Sequence, residues 1–439
     1  MDVSTKQKRI AELSKRKPEM RMTTLNHYLD IEWMREAYRR IRKDSAPGID
    51  GLTVEAYGKE LEKNLTSLMN RAKSGEYFAP PVKRKYIPKG TGTETRPIGM
   101  PTTEDKILQR AIVMLLEPIY EEDFYDFSCG FRPNRSAFQA LEYLWEQAMG
   151  NNIRCLLDVD IRKYFDTLDK SKLQEIIRQR VEDGVVNRLI GKWLNAGVME
   201  GGRVEYMKTG TPQGGVISPL LSNIYLHEVL DKWFVKIVKV RLKGRAFLVR
   251  FADDFVMGFE FQDDAEKVLE VLHKRFNKYG LKLHPDKTRL VSFESPTKGK
   301  PYGKRNKPGT FNFLGFTHYW GISKKGNWIV KRKTARDRFV RGLKRINDWC
   351  RKNRHEPVKL QWKTLCQKLQ GHFAYYGITG NAKYLEKYKD EVRKTWRKWL
   401  NRRSRNPNGM SWNRFNEMIL HIFPFPIARV VHSVFSVKP

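Results

Sequence analysis

Arg250-Phe251-Ala252-Asp253-Asp254-Phe255-Val256-Met257 decides how the chain folds. Two adjacent carboxylates sit inside an apolar run, with Ala246-Phe247-Leu248-Val249 ahead of them. That composition predicts two buried strands joined at a tight turn. Neighbouring acids in an apolar setting repel and lose hydration, so they need a cation or a proton. A divalent metal serves if a third carboxylate arrives from elsewhere. The other reading makes Asp253 and Asp254 plain turn residues.

Upstream, Ile153-Arg154-Cys155-Leu156-Leu157-Asp158-Val159-Asp160 reads as a strand with Asp160 at its end. Asp169 can cap a helix whose Leu173, Ile176 and Ile177 face inward. Thr209-Gly210-Thr211-Pro212-Gln213-Gly214-Gly215 is a loop, followed by a helix with Ser218 as its cap and Pro219 as its first residue. After the Asp-Asp hairpin, a helix opens near Asp263-Asp264 and closes at Gly280. Residues 281–293 read as another strand. The order strand, helix, helix, hairpin, helix, strand predicts an α+β unit of β-α-β-β-α-β type. There the first strand lies beside the hairpin, so Asp160 can meet Asp253 and Asp254.

Working outward, 82–89 and 96–101 read as two short basic strands around a Gly-rich turn. Lys89 and Arg96 stand near that turn, where cations could lie over a phosphate tail. Ser128-Cys129-Gly130-Phe131-Arg132-Pro133-Asn134-Arg135-Ser136 is a loop whose Ser136 caps the next helix. Residues 53–74 read as one helix. From about Thr334 to Arg405 the chain is helical and densely basic.

The 439 residues carry 84 Lys+Arg against 49 Asp+Glu, a formal net charge of +35. So large an excess points to a polyanionic partner, nucleic acid ahead of membrane phosphate. The 4 cysteines are scattered without zinc-finger spacing, which predicts a reducing compartment and no structural zinc. The charged N-terminus lacks a signal core and no apolar run spans a bilayer, so a cytoplasmic protein with no membrane partner is expected.

The ordered blocks together resemble the group II intron-encoded reverse transcriptases/maturases. The matching residues are Ala46-Pro47-Gly48-Ile49-Asp50-Gly51, Arg96-Pro97-Ile98-Gly99-Met100-Pro101, Gly130-Phe131-Arg132-Pro133-Asn134-Arg135, Asp160 with Phe165-Asp166, Thr211-Pro212-Gln213-Gly214-Gly215, Ala252-Asp253-Asp254 and Phe313-Leu314-Gly315-Phe316. The resemblance implies a right-hand polymerase of α+β class. Its divisions would be a basic helical extension (1–45), fingers (46–152), a ferredoxin-like palm with an antiparallel sheet (153–320, with a basic loop at 295–310), an all-helical thumb/maturase domain (321–405) and a tail (406–439).

Residue roles follow from the same resemblance. Asp160, Asp253 and Asp254 would hold two Mg²⁺ ions. Lys89 and Arg96 would clamp the triphosphate of a dNTP, Gln213 would lie against it, and Phe165 would exclude a ribose 2′-hydroxyl. Lys287 would donate a proton to pyrophosphate. The implied partners are an RNA template, a DNA primer and the parent group II intron RNA. On a 3.6-residue period Arg338, Arg341 and Arg345 share one face of a basic helix, a stripe that would track the phosphates of folded RNA. Two departures stand out. Phe251 replaces the family's usual Tyr, and no Cys/His-rich endonuclease module follows the thumb, so autonomous second-strand cleavage is not expected. Other readings are an RNA-binding splicing factor with incidental polymerase activity, or a reverse transcriptase recruited to a host role such as phage defence.

Overall fold

The computed structural model describes residues 2–88, 95–207, 209–210, 214–296, 308–403 and 409–433. Its strands are Val82–Pro88 (β1), Thr95–Met100 (β2), Cys155–Asp160 (β3), Val198–Glu200 (β4), Arg203–Glu205 (β5), Ala246–Phe251 (β6), Asp254–Phe259 (β7), Arg289–Ser292 (β8), Phe311–Phe313 (β9), Phe316–Ile322 (β10) and Trp328–Thr334 (β11). One sheet runs β6-β7-β3-β8, with β3 between the hairpin and the last strand. This is the order of a β-α-β-β-α-β unit. Strand β6 reads Ala-Phe-Leu-Val-Arg and is buried along that whole length, as a strand covered on both faces must be. The fold is α+β, as expected.

Local chemistry sets the element ends. Asp169 Oδ1 accepts from Lys172 N at 3.1 Å and caps helix Lys170–Arg178. Helix Gln262–Lys278 ends in a Schellman turn: Leu281 N donates to Phe276 O at 2.9 Å, and Gly280 N to Asn277 O at 3.1 Å. Gly280 supplies the φ of +73° that this turn needs.

Several expected boundaries shift. Ser218 is the first helical residue rather than the cap, because the turn that closes with Ser218 N donating to Gly215 O at 3.3 Å leads straight into the helix. The strand expected over 281–293 shortens to β8 and a bridge at Leu283. A turn at Pro285, Asp286 and Lys287 separates them, since Pro285 has no N–H for the ladder. The helix expected over 53–74 is interrupted at Gly58–Glu60. A further hairpin, β4–β5, turns at Gly201 and Gly202 (φ +56° and +81°), and β4 pairs in parallel with β1. Together they form a sheet of order β2-β1-β4-β5.

The chain gathers into two compact units, Met1–Ala140 with Val159–Leu290, and Leu141–Asp158 with Val291–Pro439. In the first, Trp33, Leu65, Leu108 and Ile112 are fully buried. In the second, helices Arg336–Lys352, Val358–Tyr376 and Ala382–Leu400 pack around Ile346, Leu365, Leu369, Leu385 and Trp396. Each such apolar side chain contributes about 1.5–3 kcal/mol on burial. Exposed pairs such as Lys394–Glu391, screened by water and salt, add little beside this. Apolar faces therefore hold the three helices together. Among the described residues, no helix is long and apolar enough to cross a membrane.

Candidate active site

The hairpin places the acid pair. Phe251 and Asp254 face each other across β6 and β7, leaving Ala252 and Asp253 as a two-residue turn. Ala252 adopts φ +58°, which for a residue with a Cβ costs about 1–3 kcal/mol and persists only where the surroundings enforce it. Those surroundings are specific. Arg250 Nη1 donates to Ala252 O at 3.1 Å. Cys129 N donates to Arg250 O at 2.9 Å, which lays the 128–130 loop against the turn. Gly130 approaches so closely that a Cβ there would stand 2.2 Å from Ala252 N.

Beneath the turn, Arg250 is fully buried and paired with Asp231, Nε to Oδ1 at 2.8 Å and Nη2 to Oδ2 at 2.5 Å. Its Nη1 also donates to Asn223 Oδ1 at 2.9 Å, and Asn223 Nδ2 donates to Gly130 O at 2.7 Å. Burial works to raise the Asp231 carboxyl, but Arg250's charge and hydrogen bonds, with His227 3.6 Å away, hold it below the usual carboxylate range. Loop, helix and hairpin are thus tied through one guanidinium. No sequence motif marks this device. Its signal was an arginine inside a fully apolar strand, since a buried cation needs a buried partner.

Asp160 ends β3. Its carbonyl accepts from His284 N at 2.8 Å, and its Oδ2 accepts from Lys287 Nζ at 2.7 Å. Asp160 and Lys287 are 40% and 52% exposed, so their mutual attraction is worth at most about 1 kcal/mol. Asp253 titrates higher than an ordinary aspartate. Burial is the main cause and the nearby Asp160 charge adds to it, while Arg96 and Arg250 pull the other way. Asp160, Asp253 and Arg96 therefore share one electrostatic neighbourhood, with Asp254 half-buried at the start of β7.

Among the described residues, no three His, Cys, Asp or Glu side chains close into a group that could hold a metal ion. Hard carboxylate oxygens suit a hard divalent cation, and an acid raised by burial and a like charge gains from one. The donors fit such an ion by their chemistry, while Asp160 is engaged by Lys287.

Phe165 lies half-buried on the short helix Tyr164–Thr167, its ring edge-on to Tyr164 at 5.2 Å and 70°. Tyr164 is anchored by its hydroxyl, which donates to Ser222 O at 3.0 Å. Gly210 (φ +82°) closes on the carbonyls of Phe165 and Asp166, 2.6 and 2.7 Å from where a Cβ would be. Gly214 meets Gly99 O in the same way, on the strand that carries Arg96. Lys89 and Gln213 lie outside the described residues, as do 297–307 of the expected basic loop. Arg338, Arg341 and Arg345 line one cleft in the second unit, while Phe339, Leu343 and Ile346 on the same helix join the apolar core.

Known proteins resemble this chain. Residues 87–318 match the family described as "Reverse transcriptase (RNA-dependent DNA polymerase)". Protein YkfC of Escherichia coli K12 is 33% identical over 329 residues, which cover 66% of this chain and 85% of that protein. "Group II intron-encoded protein LtrA" of Lactococcus lactis is 37% identical over 218 residues, 49% of this chain and 36% of LtrA. "Nuclear intron maturase 2, mitochondrial" of Arabidopsis thaliana is 29% identical over 202 residues, 36% of this chain and 26% of its own length. The chain thus matches most of YkfC but about a third of LtrA.

Proposed function

Because the chain belongs to the reverse transcriptase family, of the group II intron-encoded kind, we propose that it extends a DNA primer on an RNA template and binds a group II intron RNA to assist splicing and retrohoming. The observation that carries the polymerase reading is the shared field of Asp160, Asp253 and Arg96 beside an enforced turn. Two carboxylates and a facing guanidinium are what a triphosphate and its counter-cations require.

In this reading Asp160, Asp253 and Asp254 would hold two Mg²⁺ ions, and the chemistry supplied there would be Lewis-acid activation of the primer 3′-hydroxyl and charge neutralisation at the triphosphate. The chain's own groups do the remaining work. Arg96, with Lys89, clamps the β- and γ-phosphates, and Gln213 lies against the nucleotide. Phe165 fills the space beside C2′ of the sugar. The primer 3′-hydroxyl loses its proton to water and its oxygen bonds to the α-phosphorus as the bond to pyrophosphate breaks, while Lys287 Nζ gives its proton to the departing oxygen. Fingers at 46–152, palm at 153–320 and thumb at 321–405 are the corresponding divisions, and Arg338, Arg341 and Arg345 grip folded intron RNA. Primer extension with purified protein tests the polymerase: Asp253→Asn should abolish it, and full-length cDNA from that variant would overturn the assignment.

A further inference from the structure

In the second unit, helices Arg336–Lys352, Val358–Tyr376 and Ala382–Leu400 enclose a cleft of about 390 Å³. That volume lies within the roughly 300–1,000 Å³ of small-ligand sites. Arg338, Arg341, Arg345 and Lys368 supply its charge. Asp337 sits 3.0 Å from Arg341 and 3.4 Å from Arg338. Arg345 and Lys368 form no hydrogen bond or ion pair among the described residues, although Lys368 lies over the Trp349 ring. Four cations facing one paired acid repel one another and call for an anion of more than one charge or a chain of them.

The rest of the lining is aromatic. The His372 ring lies flat on Tyr388 at 3.7 Å and 3°, and against Tyr376 at 4.6 Å and 31°. Gly342 makes this possible, since a Cβ there would stand 2.9 Å from the Tyr388 hydroxyl. Burial holds the His372 imidazole down at about 4, so at neutral pH it adds a ring face and no further charge. Its Nε2 is buried with no hydrogen-bond partner among the described residues. A phosphate alone would use the cations and leave the rings idle. A duplex would offer phosphates while its bases stayed sealed in their stack. Cations joined to ring faces suit a base and its phosphate together.

We propose that this cleft captures one unpaired nucleotide of single-stranded RNA, its phosphate on Arg345 and Lys368 and its base against the wall formed by His372 and Tyr376. The proposal rests on the reading of Arg338, Arg341 and Arg345 as an RNA-binding stripe, and it adds what the stripe recognises. An unpaired segment beside a folded region would then be preferred over a continuous helix.

The test uses the full chain, a short single-stranded RNA carrying 2-aminopurine, and a fully paired RNA of equal length. Wild type should quench the 2-aminopurine on binding. Tyr376→Leu should lose that quenching and about tenfold in single-strand affinity, with duplex affinity unchanged, and Tyr376→Phe should keep both. Arg345→Gln should weaken both RNAs and lower the salt slope by about one. If Arg345→Gln binds both RNAs as wild type does, the stripe reading fails and the cleft proposal with it. If Arg345→Gln weakens binding while Tyr376→Leu keeps quenching and affinity, nucleotide capture alone is overturned. An equal loss of both RNAs in Tyr376→Leu, with thermal stability intact, would also overturn it.

Discussion

Arg250 Nη1 donates to the carbonyl of Ala252, the residue held at positive φ immediately before Asp253. The guanidinium that does this is itself fixed on Asp231 with both partners fully buried. The position of the acid pair therefore depends on an ion pair that touches no substrate. Arg250→Gln leaves the Asp231 charge buried and alone, which typically costs about 3–5 kcal/mol. Denaturant midpoints should fall accordingly, and primer extension should fall with them. Arg250→Gln combined with Asp231→Asn should cost clearly less than the two single changes added. Strict additivity would show that the pair is not coupled.

The carboxylates differ in how much they should matter. Under the proposed metal ligation, Asp253→Asn and Asp160→Asn would each remove a ligand oxygen, with expected losses on the order of 10³-fold or more in rate. Asp158, one alternation back on β3, should tolerate Asn better. Single-turnover extension of an annealed DNA primer on RNA separates these cases. Equal losses at Asp158 and Asp160 would mean that the strand end merely packs.

Phe165 sits over Tyr164 with its backbone clamped by Gly210. Replacing it by Ala or Val removes ring volume and leaves the clamp untouched. The ratio of dNTP to rNTP incorporation efficiency should drop, while DNA synthesis continues. An unchanged ratio in both variants would make Phe165 a packing residue.

The sequence was most readable where local composition and tertiary role agree. An apolar run broken by Asp253-Asp254 can only be a hairpin, and the alternating elements around it settle the sheet order in which β3 neighbours β7. The arginine stripe was also legible, because helical spacing puts Arg338, Arg341 and Arg345 opposite Phe339 and Leu343. What stayed hidden joins residues far apart. Asp160 finds Lys287 across 127 positions and Arg250 finds Asp231 across 19, and no periodicity encodes such partners. The β4–β5 hairpin carried a Gly-Gly turn signal, but its strands of 3 residues are too short for alternation to register.

The stripe and the acid pair should separate by mutation. Changing Arg338, Arg341 and Arg345 together to Gln should flatten the salt dependence of intron RNA binding by about one unit per lost phosphate contact. Extension of a saturating short primer-template should fall much less, and Asp253→Asn should show the reverse pattern. Because Asp337 engages two of these arginines, Asp337→Asn should tighten RNA binding modestly at low salt. Parallel loss of both activities in the arginine variant would show that one surface serves both.

Asp105 makes the fold around this site sensitive to pH. It is buried, and it accepts hydrogen bonds from Tyr77, from Thr102 Oγ1 at 3.0 Å and from Trp193 Nε1 at 3.0 Å. Burial nevertheless pushes its carboxyl up to about 6 from an ordinary 3.8, against those hydrogen bonds, with Glu104 adding to the rise. The sign follows directly. A folded-state value above the unfolded one means that the native protein holds this proton more tightly. The stabilisation is complete below about 3.8 and is lost as pH climbs through about 6, a change of at most about 3 kcal/mol. Asp105→Asn cannot titrate, so urea midpoints of wild type should decline relative to that variant between pH 4 and pH 7. Parallel profiles would show that Asp105 ionises as it does in water. A relative decline would assign the titration to Asp105 itself.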